Sequence, residues 1–160
     1  MQQIVWPTVI VYNICTIGSV GGGWISTSLI NRGWSLNAAR KTAMLICAVS
    51  VAPVVYAPYA KSVWTVVALI GLATAAHQGW SCNLFTLVSD MFPRSAVGSV
   101  TGIGGTAGAV ASVLMQVATG YIVQLTHSYM PLFIVAGSAY VVTLAAVHAL
   151  SPKLAPAELD

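Results

Sequence analysis

The sequence predicts an all-α membrane protein with five transmembrane helices, and three observations lead there. Only 6% of the 160 residues are charged, against roughly 25% in a soluble domain, while 58% are apolar and the mean hydropathy is +0.85. Such a surface cannot present the mixed charge that keeps a domain soluble. The few charges are spaced so that the gaps between them match the roughly 20 apolar residues that cross a bilayer as a helix. The apolar runs are also continuous, which excludes membrane β-strands, because those alternate apolar and polar over about ten residues.

The first helix is expected at 4–29, within the 31 uncharged residues before Arg32. The second and third, at 42–60 and 63–88, fill the 19 residues between Lys41 and Lys61 and the 28 between Lys61 and Asp90. From Ser95 to Pro152 there are 58 uncharged residues, which as one helix would measure roughly 87 Å, far beyond a hydrocarbon core of about 30 Å. That stretch must fold back once. The turn is expected at Thr126-His127-Ser128-Tyr129-Met130-Pro131, a polar cluster whose proline suits the start of a helix. The fourth and fifth helices then lie at 97–124 and 130–150, in a body of residues 1–152 followed by a tail at 153–160.

Charge also predicts orientation. Arg32, Arg40, Lys41, Arg94 and Lys153 fall on one face of this arrangement and Lys61 alone on the other. The cation excess puts the first loop and the C-terminus in the cytoplasm of a bacterial inner membrane. An external N-terminus without a basic leader region leads to the expectation that further sequence precedes Met1.

Other function classes are set aside. A net charge of +3 is too small and too scattered for a nucleic-acid footprint. Cys15, Cys47 and Cys82 form no CxxC pair and lie in apolar runs, so neither a disulfide framework nor a metal site is expected. There is no P-loop and no HExxH, and no buried acid to complete a Ser-His-Asp arrangement. An enzyme is not expected, and no cofactor is called for.

Two features carry functional information. Glycines at four-residue spacing, Gly18/Gly22 in the first helix and Gly98/Gly102 and Gly104/Gly108 in the fourth, let helix backbones approach closely in a bilayer. They suit either static packing or sliding during a conformational cycle. Polar groups at membrane depth are costly unless they meet a partner or a wet cavity, and the third helix holds the densest set. Thr74, His77, Gln78 and Ser81 share one face at about 100° per residue, while Asn83 projects roughly opposite, beside Gly79 and Ala76. Each is a candidate either to line a solute path or to hydrogen-bond between helices; Asn13, Gln116 and Gln124 are weaker candidates of the same kind. Asp90, at the end of the third helix, is placed to meet Arg40, Lys41 or Arg94, or else to stand solvated.

Three stretches carry a family resemblance. They are Gly18-Ser19-Val20-Gly21-Gly22-Gly23-Trp24-Ile25-Ser26 with Arg32-Gly33-Trp34-Ser35 and Ala39-Arg40-Lys41; Ala76-His77-Gln78-Gly79-Trp80-Ser81-Cys82-Asn83-Leu84-Phe85 running into Ser89-Asp90-Met91-Phe92-Pro93-Arg94; and Ala96-Val97-Gly98-Ser99-Val100-Thr101-Gly102-Ile103-Gly104-Gly105 through Gly120-Tyr121-Ile122. Together they resemble the C-terminal part of a major facilitator superfamily transporter, and within it the anion:cation symporter family and its hexuronate (glucuronate and galacturonate) members. The resemblance implies twelve helices in two halves with the solute site between them, of which these five would be helices eight to twelve. It implies import of a sugar acid with protons by alternating access, and partners in the lipid bilayer, the organic anion, the proton and a missing N-terminal half. It places His77, Gln78, Ser81 and Asn83 beside the cavity, and Arg32, Arg40, Lys41, Asp90 and Arg94 in a cytoplasmic latch. Thr16 stands where such transporters commonly have Asp, and Thr27 where the loop motif often has an acid. The five helices alone are expected not to transport. The competing expectations are an interaction or assembly subunit pairing through its glycine faces, a small transporter working as an oligomer, and a truncated reading frame without function.

Overall fold

The computed structural model describes residues 2–154, with side chains from Val5 onward. Among the described residues five α-helices follow one another: α1 (Gln2–Asn31), α2 (Leu36–Val51), α3 (Val63–Met91), α4 (Arg94–Thr126) and α5 (Met130–Leu150), and α2 continues as a 3-10 helix over Ala52–Tyr59. No strand occurs among the described residues. Four segments are long and apolar enough to cross a bilayer, namely Val5–Asn31, Leu36–Tyr59, Arg94–Thr126 and Met130–Leu150. The remaining helix, α3, has the length at 29 residues but is interrupted by His77, Gln78, Ser81, Asn83 and Asp90. Of the tail expected at 153–160, residues 155–160, with Glu158, lie outside the described residues.

Local chemistry sets the helix ends. Gly33 sits at φ 88°, its N–H donating to the Ile30 carbonyl at 2.9 Å and that of Trp34 to the Leu29 carbonyl at 3.2 Å. This is the paired 5→2 and 6→1 closure of a helix C-terminus, which needs a residue tolerant of positive φ. Two residues on, the Ser35 hydroxyl accepts from the Ala38 N–H and caps α2. α2 therefore starts six residues before the expected 42, with Arg40 and Lys41 inside the helix instead of the loop. Pro53, which lacks an N–H, lies where α2 tightens into the 3-10 helix. At the expected last turn, α4 ends at Thr126 with His127 left-handed at φ 49°, and Pro131 opens α5.

α3 is the axis of the assembly. It packs against α1, α2 and the 3-10 helix, and α5 closes against α2 and the 3-10 helix. The core of Met44, Cys47, Ala48, Val51, Val54, Ala76 and Trp80 sits between them, with Phe133, Tyr140 and Leu144 of α5 against it. Among the described residues α4 touches only α3 and α5, slightly, and it has no buried residue along its 33 positions. Large side chains such as Trp6, Trp24, Leu125 and Leu150 are exposed, an apolar surface suited to lipid rather than water.

Candidate functional site

At the end where α1 and α3 finish and α2 begins, three helices meet through charge. Arg40 of α2 donates from Nε to Asp90 Oδ2 of α3 at 2.9 Å and from a terminal nitrogen to Ser26 Oγ of α1 at 2.8 Å. Ser26 is fully buried and its hydroxyl donates to the Gly23 carbonyl at 3.1 Å. The guanidinium is thus held on two sides, which keeps its burial tolerable. Lys41, one residue on, turns the other way, donating to the carbonyls of Ser151 at 2.7 Å and Pro152 at 2.9 Å beyond α5. Of the five latch candidates the structure brings together Arg40 and Asp90; Lys41 clasps the chain after α5, while Arg32 and Arg94 are exposed and make no side-chain bond among the described residues.

The polar residues of α3 divide by face. Asn83 is fully buried against α1, its amide donating to the carbonyls of Gly22 and Gly79, each at 2.9 Å, which spends both N–H groups on holding helices together. Its Oδ1 is buried without a partner. His77 lies on another face and meets α5, its Nδ1 2.7 Å from the Tyr140 hydroxyl, with Trp80 edge-on to the Tyr140 ring. His77 and Tyr140 border an open groove of about 400 Å³ that includes Thr74, Val54 and Phe133. Gln78 and Ser81 are half-buried and have no hydrogen-bond partner among the described residues. The exposed Gln116 and Gln124 on α4 are likewise unpartnered there, whereas Asn13 donates to the Val9 carbonyl of its own helix.

The glycine spacings have different fates. A Cβ on Gly18 would land in the backbone of Ala75, and one on Gly22 in that of Gly79. α1 and α3 therefore cross backbone to backbone, with dispersion and weak Cα–H···O contacts as the attraction. Around Gly98, Gly102, Gly104 and Gly108 nothing lies within 4 Å of the corresponding positions. Sequence reasoning did not single out Ser26, whose burial between two helices depends on the fold, or Tyr140, whose partner His77 lies 63 residues away. Among the described residues there is no cluster of three or more His, Cys, Asp or Glu that could hold a metal ion.

No family model matches the chain. It is 32% identical over 112 residues, 70% of its length, to a probable galactarate/D-glucarate transporter of Bacillus subtilis (strain 168). A D-galactonate transporter of Escherichia coli O6:H1 is 26% identical over 136 residues, 84% of this chain and 30% of that protein. A chloroplastic sodium-dependent phosphate transport protein of Arabidopsis thaliana is 31% identical over 112 residues, 68% of this chain and 21% of that protein. The chain spans about a quarter of the length of the bacterial galactarate/D-glucarate relatives it matches. These similarities agree with the resemblance read from the motifs: the relatives are named as anion transporters, not enzymes, and this chain, with its apolar helices, is an integral membrane protein. The bacterial relatives are named for sugar diacids and an aldonate where the motifs pointed to hexuronates.

Proposed function

We propose that the chain is part of a secondary transporter of sugar-acid anions, forming helices eight to twelve of a twelve-helix major facilitator fold in a bacterial inner membrane. The end carrying Arg40 and Asp90 faces the cytoplasm, and the rest of the solute cavity comes from an N-terminal half. The observation that carries this reading is the similarity over 112 residues to a galactarate/D-glucarate transporter. Support within the chain comes from the polar groups at span depth. Gln78 and Ser81 retain their hydrogen-bonding capacity, and in hydrocarbon such groups belong beside water or a hydroxylated solute. In this mechanism the Arg40–Asp90–Ser26 junction ties α1, α2 and α3 into a unit that rocks as one during alternating access. The acids and bases that couple uptake to protons lie in the N-terminal half, and this chain alone carries nothing.

A chimera tests the proposal: this chain replaces the aligned segment of the Bacillus subtilis relative, and uptake of galactarate, D-glucarate, D-galactonate and glucuronate is measured in cells. The expected result is uptake of at least one of them, lowered about tenfold by Gln78→Leu if one buried hydrogen bond to solute is lost. A chimera that inserts at the level of the parent and carries none refutes the reading. In proteoliposomes the chain alone is expected to match empty vesicles, and saturable proton-coupled uptake there overturns its dependence on a second half. A reporter fusion at Lys61 is expected outside and one at the C-terminus inside. The bare α4, with its small residues facing nothing, favours a second reading, an assembly subunit that pairs through this helix; efficient crosslinking of two copies along α4, with no uptake by the chimera, is its signature.

A further inference from the structure

We infer that the groove between α2 and α5, at the end bearing Arg40 and Asp90, is a binding site for an anionic phospholipid, with Lys41 and His148 at its rim. The groove measures about 400 Å³ and its walls include Leu45, Val141, Leu144 and Ala145. Leu45 and Val141 are close to half exposed, so the walls open onto the lipid-facing side of the helix pair.

Among the described residues the rim is cationic and meets no acid. The Lys41 ammonium donates to two neutral carbonyls, Ser151 and Pro152, and its third neighbour is His148 Nδ1 at 3.2 Å. None of the three carries a negative charge, and Asp90, the acid at this end among the described residues, is held by Arg40. The exposed imidazole of His148 has no other hydrogen-bond partner among the described residues. Lys153 follows immediately and is exposed. Among the described residues, Arg32, Arg40, Lys41, Arg94 and Lys153 are the cations of this end and Asp90 its carboxylate; Glu158 and Asp160 lie outside the described residues. Basic pockets between transmembrane helices with apolar walls suit a phosphodiester headgroup above an acyl chain; free phosphate leaves the walls bare, and an uncharged lipid leaves the rim unanswered. The same lysine secures the Ser151–Pro152 segment, and the Leu154 N–H reaches Asn37 Oδ1 of α2 at 3.2 Å, so a bound lipid would also brace the chain end over α2.

The test uses the 160-residue chain purified in neutral detergent, offered phosphatidylglycerol or phosphatidylcholine at equal concentration, with retained lipid counted by native mass spectrometry. Phosphatidylglycerol is expected to be held about fivefold more tightly, the contribution of one lysine near a bilayer surface. Lys41→Gln should abolish that preference, and Lys61→Gln at the opposite end should leave it intact. Since Lys41→Gln also releases two carbonyls, Ala145→Trp serves as an independent arm: it leaves the rim in place, fills the groove and should lose both lipids. Equal retention of the two lipids by the parent chain, an unchanged preference in Lys41→Gln, undiminished binding in Ala145→Trp, or displacement of the lipid by inorganic phosphate would each overturn the site.

Discussion

The most exacting consequence concerns the Arg40–Asp90 pair. Its side chains are 10% and 22% exposed, between the surface case, where an ion pair contributes about 1 kcal/mol or less, and the fully buried case, where removing one partner costs about 3–5 kcal/mol. Asp90→Ala strips the guanidinium of its anion and leaves only Ser26 Oγ as a partner, so a loss of about 2–3 kcal/mol is expected. Arg40→Leu removes a cation but leaves Asp90 near the end of its helix with a route to water, and the cost should be lower, about 1–2 kcal/mol. The double variant abolishes both the attraction and the desolvated charge, so its cost should fall well below the sum of the singles, with a coupling of about 1–2 kcal/mol. The assay is dodecyl sulfate titration of the detergent-solubilised chain, followed by far-UV circular dichroism and tryptophan fluorescence. Losses no greater than that of Lys61→Gln, an exposed cation at the opposite end, or strictly additive singles, would refute the assignment of this pair as the tie between α2 and α3.

The remaining expectations use the same titration. Gly22→Ala forces α1 away from Gly79 and should cost about 1–3 kcal/mol, whereas Gly108→Ala, which meets nothing, should be neutral or stabilising by up to about 1 kcal/mol; equal effects would deny the α1–α3 crossing. Asn83→Leu removes both amide bonds to the Gly22 and Gly79 carbonyls and crowds the crossing, with an expected loss of about 2 kcal/mol, so an unchanged midpoint would show that those bonds are not formed. Gly33→Ala places a Cβ at φ 88° and should cost about 1–2 kcal/mol, chiefly by loosening the α1–α2 turn, which limited proteolysis near Trp34 would register.

How much of this was legible in the sequence depends on which interaction decides. Helix count and turns follow from uncharged run length, a one-dimensional property, and the bounds of α3 and α5 agree with it closely. The start of α2 does not, because counting charges treats Arg40 and Lys41 as loop residues. In the fold both have partners that permit them inside a helix: Asp90 and Ser26 for one, the carbonyls beyond α5 for the other. Arg40 was one of three cations offered to Asp90; choosing among them required knowing which helices are adjacent. The helical wheel separated Asn83 from His77, and the fold spends those faces on α1 and α5 respectively. Tyr140 and Ser26 stayed invisible because nothing in their local sequence distinguishes a partner from a bystander.

The glycines sharpen that point. Gly18/Gly22 and Gly104/Gly108 have the same spacing, yet one pair lies against backbone and the other faces nothing. Such a motif records a helix face that permits close approach, and whether anything approaches depends on what else is present. α1 has α3, itself notched at Gly79, so two smooth faces meet and Asn83 locks them. α4 offers a longer smooth face with no counterpart among the described helices, together with the unpartnered Gln116 and Gln124. In lipid a helix needs no apolar cover, so exposure alone says little; unspent amides are different, because hydrocarbon cannot satisfy them. Gln78 and Ser81 of α3 and Gln116 and Gln124 of α4 are therefore hydrogen-bonding groups that the described residues leave unspent. They differ in kind from the α2–α5 groove, where Leu45, Val141, Leu144 and Ala145 stand beside Thr42 with Lys41 and His148 at the rim. On the proposed reading, unspent amides suit a solute wall and a cationic rim over apolar walls suits a lipid, so a bundle organised around α3 carries two distinct chemistries.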